Sequence, residues 1–216
     1  RFDNSPWKGN HASWAFAERG IMSGELFDKR SNLWKRAFAE AQPYSQFVAA
    51  SPETHQQRWA SSYALLKLTQ GQQRLLSSFK RRMNVLVLAG SWCGDCARQC
   101  PMLAVIAEAA SAVDLRFIDN QADEELRDEL RVHGAARVPA VVILSEDMFE
   151  VARGVDRTLA VYRRKARTEL GAACDSGIGL TPAQELEAEL AEWIAIFERA
   201  QLLLRVSPFL RARHQD

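Results

Sequence analysis

The chain has 216 residues, 47% of them hydrophobic and 25% charged, with a net charge of +1. Such a length can bury a sizeable core as one domain with attached elements. The near balance of charge argues against broad electrostatic attraction to nucleic acid or to a membrane surface.

No apolar run approaches the roughly 20 residues that span a bilayer. Arg1 to Asn10 lacks the apolar core of a signal peptide, so a cytoplasmic location is expected. Four cysteines are too few for a disulfide scaffold, and three of them lie between positions 93 and 100. That crowding suits a reactive or metal-binding site better than stapling.

In chain order, residues 1 to 27 hold aromatic clusters (Phe2/Trp7, Trp14/Phe16 and Phe27) spaced by Gly9, Gly20 and Gly24. They read as an irregular lead-in lying on something apolar. Ser31 then caps a helical pattern in which Trp34, Ala37, Phe38 and Ala41 recur, and Pro43 ends it. A second helix is predicted from about Pro52, with Trp59, Tyr63 and Leu66 on one face. A third covers Gln72 to Arg82, with Leu75, Leu76 and Phe79 inward. Residues 1–82 thus form an α-helical region with no motif attached to catalysis. Its basic end, Lys80-Arg81-Arg82, reads as a solvated helix terminus offsetting the dipole.

From Asn84 the pattern becomes α/β. A buried strand, 84–90, leads into a helix over roughly 93–110, and Leu115–Asp119 is a short strand. Asp123–His133 is a helix ended at Gly134. Val141–Leu144 and Glu150–Arg153 pair as a hairpin around Ser145-Glu146-Asp147. A helix from about Thr158 to Leu170 stops at Gly171. The expectation is a central mixed sheet with helices on both faces over 83–171. Residues 172–216 are a helical extension: Thr181 and Gln184 form a capping box with Pro182 at the first helical position. Its stripe of Leu186, Leu190, Trp193, Phe197 and Leu204 should pack on the N-terminal helices, with a homodimer seam as the alternative.

Ser91-Trp92-Cys93-Gly94-Asp95-Cys96-Ala97 carries the chemistry. A C-x-x-C between strand and helix is the sign of a redox site. Two thiols three residues apart in a first helical turn can reach each other to form a disulfide. The N-terminal one sits at the positive end of the helix dipole, which favours its thiolate, the nucleophile in disulfide exchange.

With strand, cysteines and helix placed, residues 84 to about 170 resemble the thioredoxin family. The resemblance rests on Trp92-Cys93-Gly94-Asp95-Cys96, on Pro101 at the family's usual interval, and on Arg137-Val138-Pro139. It implies that Pro139 is a cis-proline facing the cysteines and that the Val138 backbone pairs with an extended segment of substrate. The W-C-G-D-C form resembles bacterial thioredoxin-like proteins, in which helical segments flank a core lacking the family's first strand and helix, more than it resembles thioredoxin itself.

Three departures stand out. Asp95 replaces the family's proline between the cysteines. Val87 stands where a buried aspartate usually helps deprotonate the resolving thiol, leaving Asp95 or Arg98 as nearby substitutes. Cys100 is extra.

The expected activity is a thiol–disulfide oxidoreductase that reduces protein disulfides. Cys93 is the nucleophile and Cys96 the resolving thiol. Trp92 shields the site and offers a flat contact, while Gly94 admits a partner backbone or relaxes the turn. Its partners would be disulfide-containing proteins and a thiol or reductase electron donor, with no cofactor and no metal. Cys100 reads as a core residue, and His11, His55 and His214 show no convergent partners. Two other classes remain open: a metal module built from Cys93, Cys96, Cys100 and Cys174, and a scaffold that uses the fold without turnover.

Overall fold

The structure is a computed structural model that describes residues 27–154, 156–171 and 180–215. The aromatic lead-in before Phe27, His11 and Cys174 lie outside the described residues. The elements are α1 (Ser31–Glu40), β1 (Gln42–Pro43), α2 (Tyr44–Ala49), α3 (Glu53–Ala64), α4 (Gln70–Ser77), β2 (Met83–Ala89) and α5 (Gly94–Ala109). After them come β3 (Val113–Asp119), α6 (Glu124–Glu129), β4 (Ala140–Leu144), β5 (Glu150–Gly154), α7 (Leu159–Leu170), α8 (Pro182–Val206) and α9 (Pro208–His214).

The sheet has the order β1-β3-β2-β4-β5; β2 and β3 run parallel and the other neighbours antiparallel. All seven residues of β2 are buried, so the central strand must be covered on both faces. Alternation along it divides the core. Val85, Val87 and Ala89 face one cluster, built with Trp59, Leu76, Leu103, Trp193 and Phe197. Leu86 and Leu88 face the other, built with Trp34, Phe38, Leu126 and Val142. This is the mixed sheet with helices on both faces that the sequence led us to expect.

The helical flanks are more closely joined to the sheet than expected. The α8 stripe of Leu190, Trp193, Phe197 and Leu204 is buried within the chain itself. It packs chiefly on β5, α5 and α7, and touches the N-terminal region at α4. Gln201 of α8 accepts hydrogen bonds from the backbone N–H groups of Lys80 and Arg81 (3.1 and 2.8 Å). The large apolar side chains that α8 leaves exposed are Leu202, Leu203 and Val206.

Several boundaries differ from expectation for identifiable reasons. The third helix is Gln70–Ser77, because Thr69 and Gln72 form a capping box that starts it early. It stops before the basic triplet, and Arg81 is not a solvated terminus: it is 3% exposed and paired with Glu146 at 3.4 Å. Arg30, not Ser31, occupies the cap position of α1. The helix expected to reach His133 ends at Glu129. His133 and Gly134 instead form a left-handed turn (φ 50° and 74°) closed by a bridge between Val132 and Ala135. Pro43 does more than stop a helix. With Gln42 it forms a two-residue strand on the edge of β3, a place where a residue without an N–H is tolerated.

Gly154, at the end of β5, lies against Trp193 of α8. A Cβ built there would lie 2.4 Å from the Trp193 ring. Gly154→Ala should therefore overpack the junction and cost about 1–3 kcal/mol of stability, read as a lower denaturant midpoint.

Candidate functional site

β2 ends at Ala89 and the chain turns through Gly90, Ser91 and Trp92 into α5. Cys93 occupies the N-cap position, with extended backbone, and its sulfur accepts the N–H of Cys96 at 3.4 Å. The Cys93 thiol also lies against the Val138 carbonyl, to which it donates at 3.5 Å. The Val138–Pro139 peptide bond is cis. The structure thus brings Cys93 together with Val138 and Pro139, 45 residues on, as the resemblance implied. Cys93 keeps 9% of its surface open, whereas Cys96 and Cys100 are fully buried; all three are free thiols. The N–H of Gly90 donates to the Cys96 sulfur at 3.5 Å.

Trp92 is 57% exposed beside the cysteines. Its indole lies across Gly90, where a Cβ would come 2.7 Å from the ring nitrogen. Gly94 faces open space: a Cβ there meets nothing within 4 Å, so neither its conformation nor the chain's own packing requires a glycine.

Both thiols of the pair are held above the ordinary thiol range. For Cys93 the hydrogen bond to the Cys96 side chain contributes most, then burial and the neighbouring sulfur's charge. The backbone N–H groups of Cys96 and Asp95 act in the opposite direction. For Cys96 burial leads, followed by a hydrogen bond with Cys100; Cys93 and the Gly90 N–H oppose them. Adjacent sulfurs lose their protons in two coupled steps, and the second is the harder because it places two negative charges together.

Part of the site was not foreseen. α3, from the stretch in which the sequence shows no motif attached to catalysis, grips the loop before Cys93 with three side chains. The Trp59 indole N–H donates to the Ser91 carbonyl at 3.1 Å, Arg58 to the Trp92 carbonyl at 3.3 Å, and a ring nitrogen of His55 pairs with the Ser91 hydroxyl at 3.1 Å. His55 therefore does have a partner, and so does His214, which meets Glu146 at 2.7 Å. Periodicity placed Trp59 on an inward face, but no sequence signal shows which loop its N–H would meet. A cleft of about 300 Å³ opens beside Ser91, between Pro52, Phe47 and Phe117.

Neither substitute for the missing buried aspartate reaches Cys96. The Asp95 carboxylate is bound by Arg157 at 2.5 Å, and Arg98 turns to Glu189 and Glu185 of α8. Val87 is buried within β2, as its apolar side chain requires. Arg157 also meets Asp156, which is buried and takes further bonds from Arg137 (2.9 Å) and the Tyr162 hydroxyl (2.7 Å). Gln99 ties this group to the helices, donating to the Asp156 carbonyl and accepting from the Trp193 indole.

Sheet order, a dithiol at the N-terminus of the helix after the central strand, and a cis-proline facing it together define a protein of the thioredoxin fold. The thioredoxin family model matches residues 41–163, more than half of the chain, and the chain belongs to that family. The match begins within the N-terminal helical stretch and so includes α3. No curated protein matches the chain. Among solved structures it is similar to a protein of unknown function from Pseudomonas aeruginosa, with 24% identity and a TM-score of 0.61 over 77% of this chain and 97% of that one. It is also similar to an HIV epitope-scaffold, with 23% identity and a TM-score of 0.60 over 76% and 96%. These two likenesses support the fold. Among the described residues no helix is long and apolar enough to cross a membrane.

The Asp156 network carries a pH signature. Burial alone would raise the Asp156 carboxyl, but the bonds from Tyr162, Arg137 and Arg157 outweigh it and hold it below its ordinary value. A carboxyl depressed in the folded state adds stability above its unfolded pKa of about 4 and loses that contribution as pH falls through the folded value. Asp156→Asn should therefore cost about 1–3 kcal/mol at pH 7, and the gap from the unaltered protein should narrow steadily in unfolding curves taken below about pH 4.

Proposed function

We propose that this protein is a thiol–disulfide oxidoreductase that reduces disulfides in other proteins. The observation that carries the reading is the placement of the Cys93 sulfur: capping α5, facing solvent through a narrow window, and touching the backbone of Val138. An extended substrate segment laid along Val138 would bring its disulfide to that sulfur. The exposed face of Trp92 and the open side of Gly94 would border it.

In the first step the Cys93 thiolate attacks one sulfur of the substrate disulfide, forming a mixed disulfide and releasing the other sulfur as a thiolate. Cys96 then attacks the Cys93 sulfur, and the second substrate sulfur leaves and is protonated. Two electrons pass to the substrate and the protein is left with a Cys93–Cys96 disulfide, which a thiol or a reductase returns to the dithiol. Because both thiols are held above their ordinary range, the reactive fraction of Cys93 grows as pH rises, and attack should accelerate from neutral toward alkaline pH.

Insulin reduction with dithiothreitol tests the reading. The unaltered protein should turn over; Cys93→Ser should abolish turnover, and Cys96→Ser should accumulate a mixed disulfide visible by mass. A potential well below about −200 mV for the Cys93–Cys96 couple would agree with a reductase. Absence of turnover while both thiols titrate normally would end it.

Gly94→Val offers a separate check. With open space around that position, thermal stability should change by less than about 1 kcal/mol. If a substrate backbone approaches there, KM for a protein disulfide should rise severalfold while kcat holds.

A further inference from the structure

Asp95, between the two cysteines, puts a carboxylate where a thiolate has to form. Cys93 caps α5, and Asp95 stands in the first turn that it caps. A helical turn rises only about 5.4 Å, less than the screening length of roughly 8 Å at physiological salt. A free carboxylate there would be felt at the Cys93 sulfur and would oppose its thiolate. The structure does not leave it free. Arg157, from the segment between β5 and α7, donates from one terminal nitrogen to the Asp95 carboxylate at 2.5 Å and from the other to Asp156 at 3.2 Å. The Arg157 and Asp95 side chains are mostly withdrawn from water (22% and 29% exposed), which strengthens the pair.

Asp156 anchors the arginine. It is 2% exposed, its carboxylate also takes bonds from Arg137 and the Tyr162 hydroxyl, and its backbone carbonyl takes the Gln99 side chain of α5. A planar guanidinium forked across two carboxylates, one of them buried, keeps little freedom. The other charged and titratable side chains on the elements around the dithiol are engaged elsewhere. Arg98 on α5 pairs with Glu185 and Glu189, and Arg137, before Val138, pairs with Asp156. From α3, Arg58 donates to the Trp92 carbonyl and His55 pairs with the Ser91 hydroxyl. The cation that meets Asp95 is Arg157.

Resting on the oxidoreductase reading, we infer that Arg157 is a positioning residue for the nucleophile: it binds the Asp95 carboxylate and cancels its charge, so that the Cys93 thiolate forms beside a neutral pair instead of beside an anion. Asp95 then serves the N-terminus of α5, where a carboxylate is favourable, without opposing the thiolate. Positions 95 and 157 are therefore coupled. Removing either charge alone disturbs Cys93, in opposite directions, and removing both leaves it as it was.

Iodoacetamide capture of Cys93, followed across a pH series by the mass of the peptide that carries it, reads the thiolate and needs no disulfide substrate. In Arg157→Gln the pH midpoint should rise by about 0.5 unit and capture at neutral pH should slow roughly threefold. In Asp95→Asn, which leaves the guanidinium without that partner, the midpoint should fall by about as much. Asp95→Asn and Arg157→Gln together should return it close to that of the unaltered protein. Arg157→Lys, which keeps the charge without the fork, should lie between the unaltered protein and Arg157→Gln. Shifts of the same sign in the two single variants, an unmoved midpoint in either, or a double variant as displaced as Arg157→Gln overturns the inference. A purely structural disturbance at the dithiol has no reason to reverse sign with the charge removed. Should Arg157→Gln fail to fold, Asp95→Asn, on the part-exposed first turn, is judged alone by whether its midpoint falls. Because capture does not require protein-disulfide turnover, loss of the reductase reading in the insulin assay would be distinguishable from failure here.

Discussion

Every other element answers to the burial of β2. A strand whose seven residues are all covered needs apolar partners above and below, and the residues between 84 and 171 do not supply enough of them. Trp34 and Phe38 of α1 complete one face, while Trp59 of α3 and Trp193 and Phe197 of α8 complete the other. The flanking helices are therefore structural halves of the core. Because β2 also delivers the cysteine loop, Trp59 both finishes the core and holds that loop through the Ser91 carbonyl, while Trp193 is tied through Gln99 of α5 to the Asp156 backbone.

Local signals in the sequence carried the elements whose information is local. The apolar run before Cys93, the Thr181–Gln184 capping box and the hairpin around Ser145 each state their structure within a few residues, and the structure has them. The pairing of Cys93 with Val138 is not local. It was legible through the family resemblance, since spacing alone does not bring positions 93 and 138 together. The third helix shows how a local signal can be overlooked: Thr69 and Gln72 form a capping box like that of α8, but the hydrophobic pattern of Leu75, Leu76 and Phe79 drew the expected helix too far along the chain.

What remained illegible was set by long-range polar contacts. Nothing near Arg81 foretells Glu146, and nothing near Asp95 foretells Arg157, 62 residues later. A charged side chain carries no periodicity to show which partner it will meet after folding. Its identity states a need for compensation and leaves the address open. His55 belongs to the same class, because its partner Ser91 lies on an element the sequence analysis treated as a separate region. The structure thus brings together the sulfurs and the proline that the motif named. The sequence left the site incomplete where its parts are side chains borrowed from the helices.

The charge pairing beside the dithiol has one more implication. Asp95 and Asp156 stand against Arg157 and Arg137, two negative groups against two positive ones. From a few ångströms away such a cluster presents almost no net field. An approaching protein is not drawn toward this side of the cysteines by long-range attraction, nor turned away by its own acidity or basicity. On the oxidoreductase reading proposed above, partners reaching this side would be sorted on contact rather than steered from a distance. Encounters of that kind would be insensitive to ionic strength, which on that reading suits a protein serving partners of unlike charge.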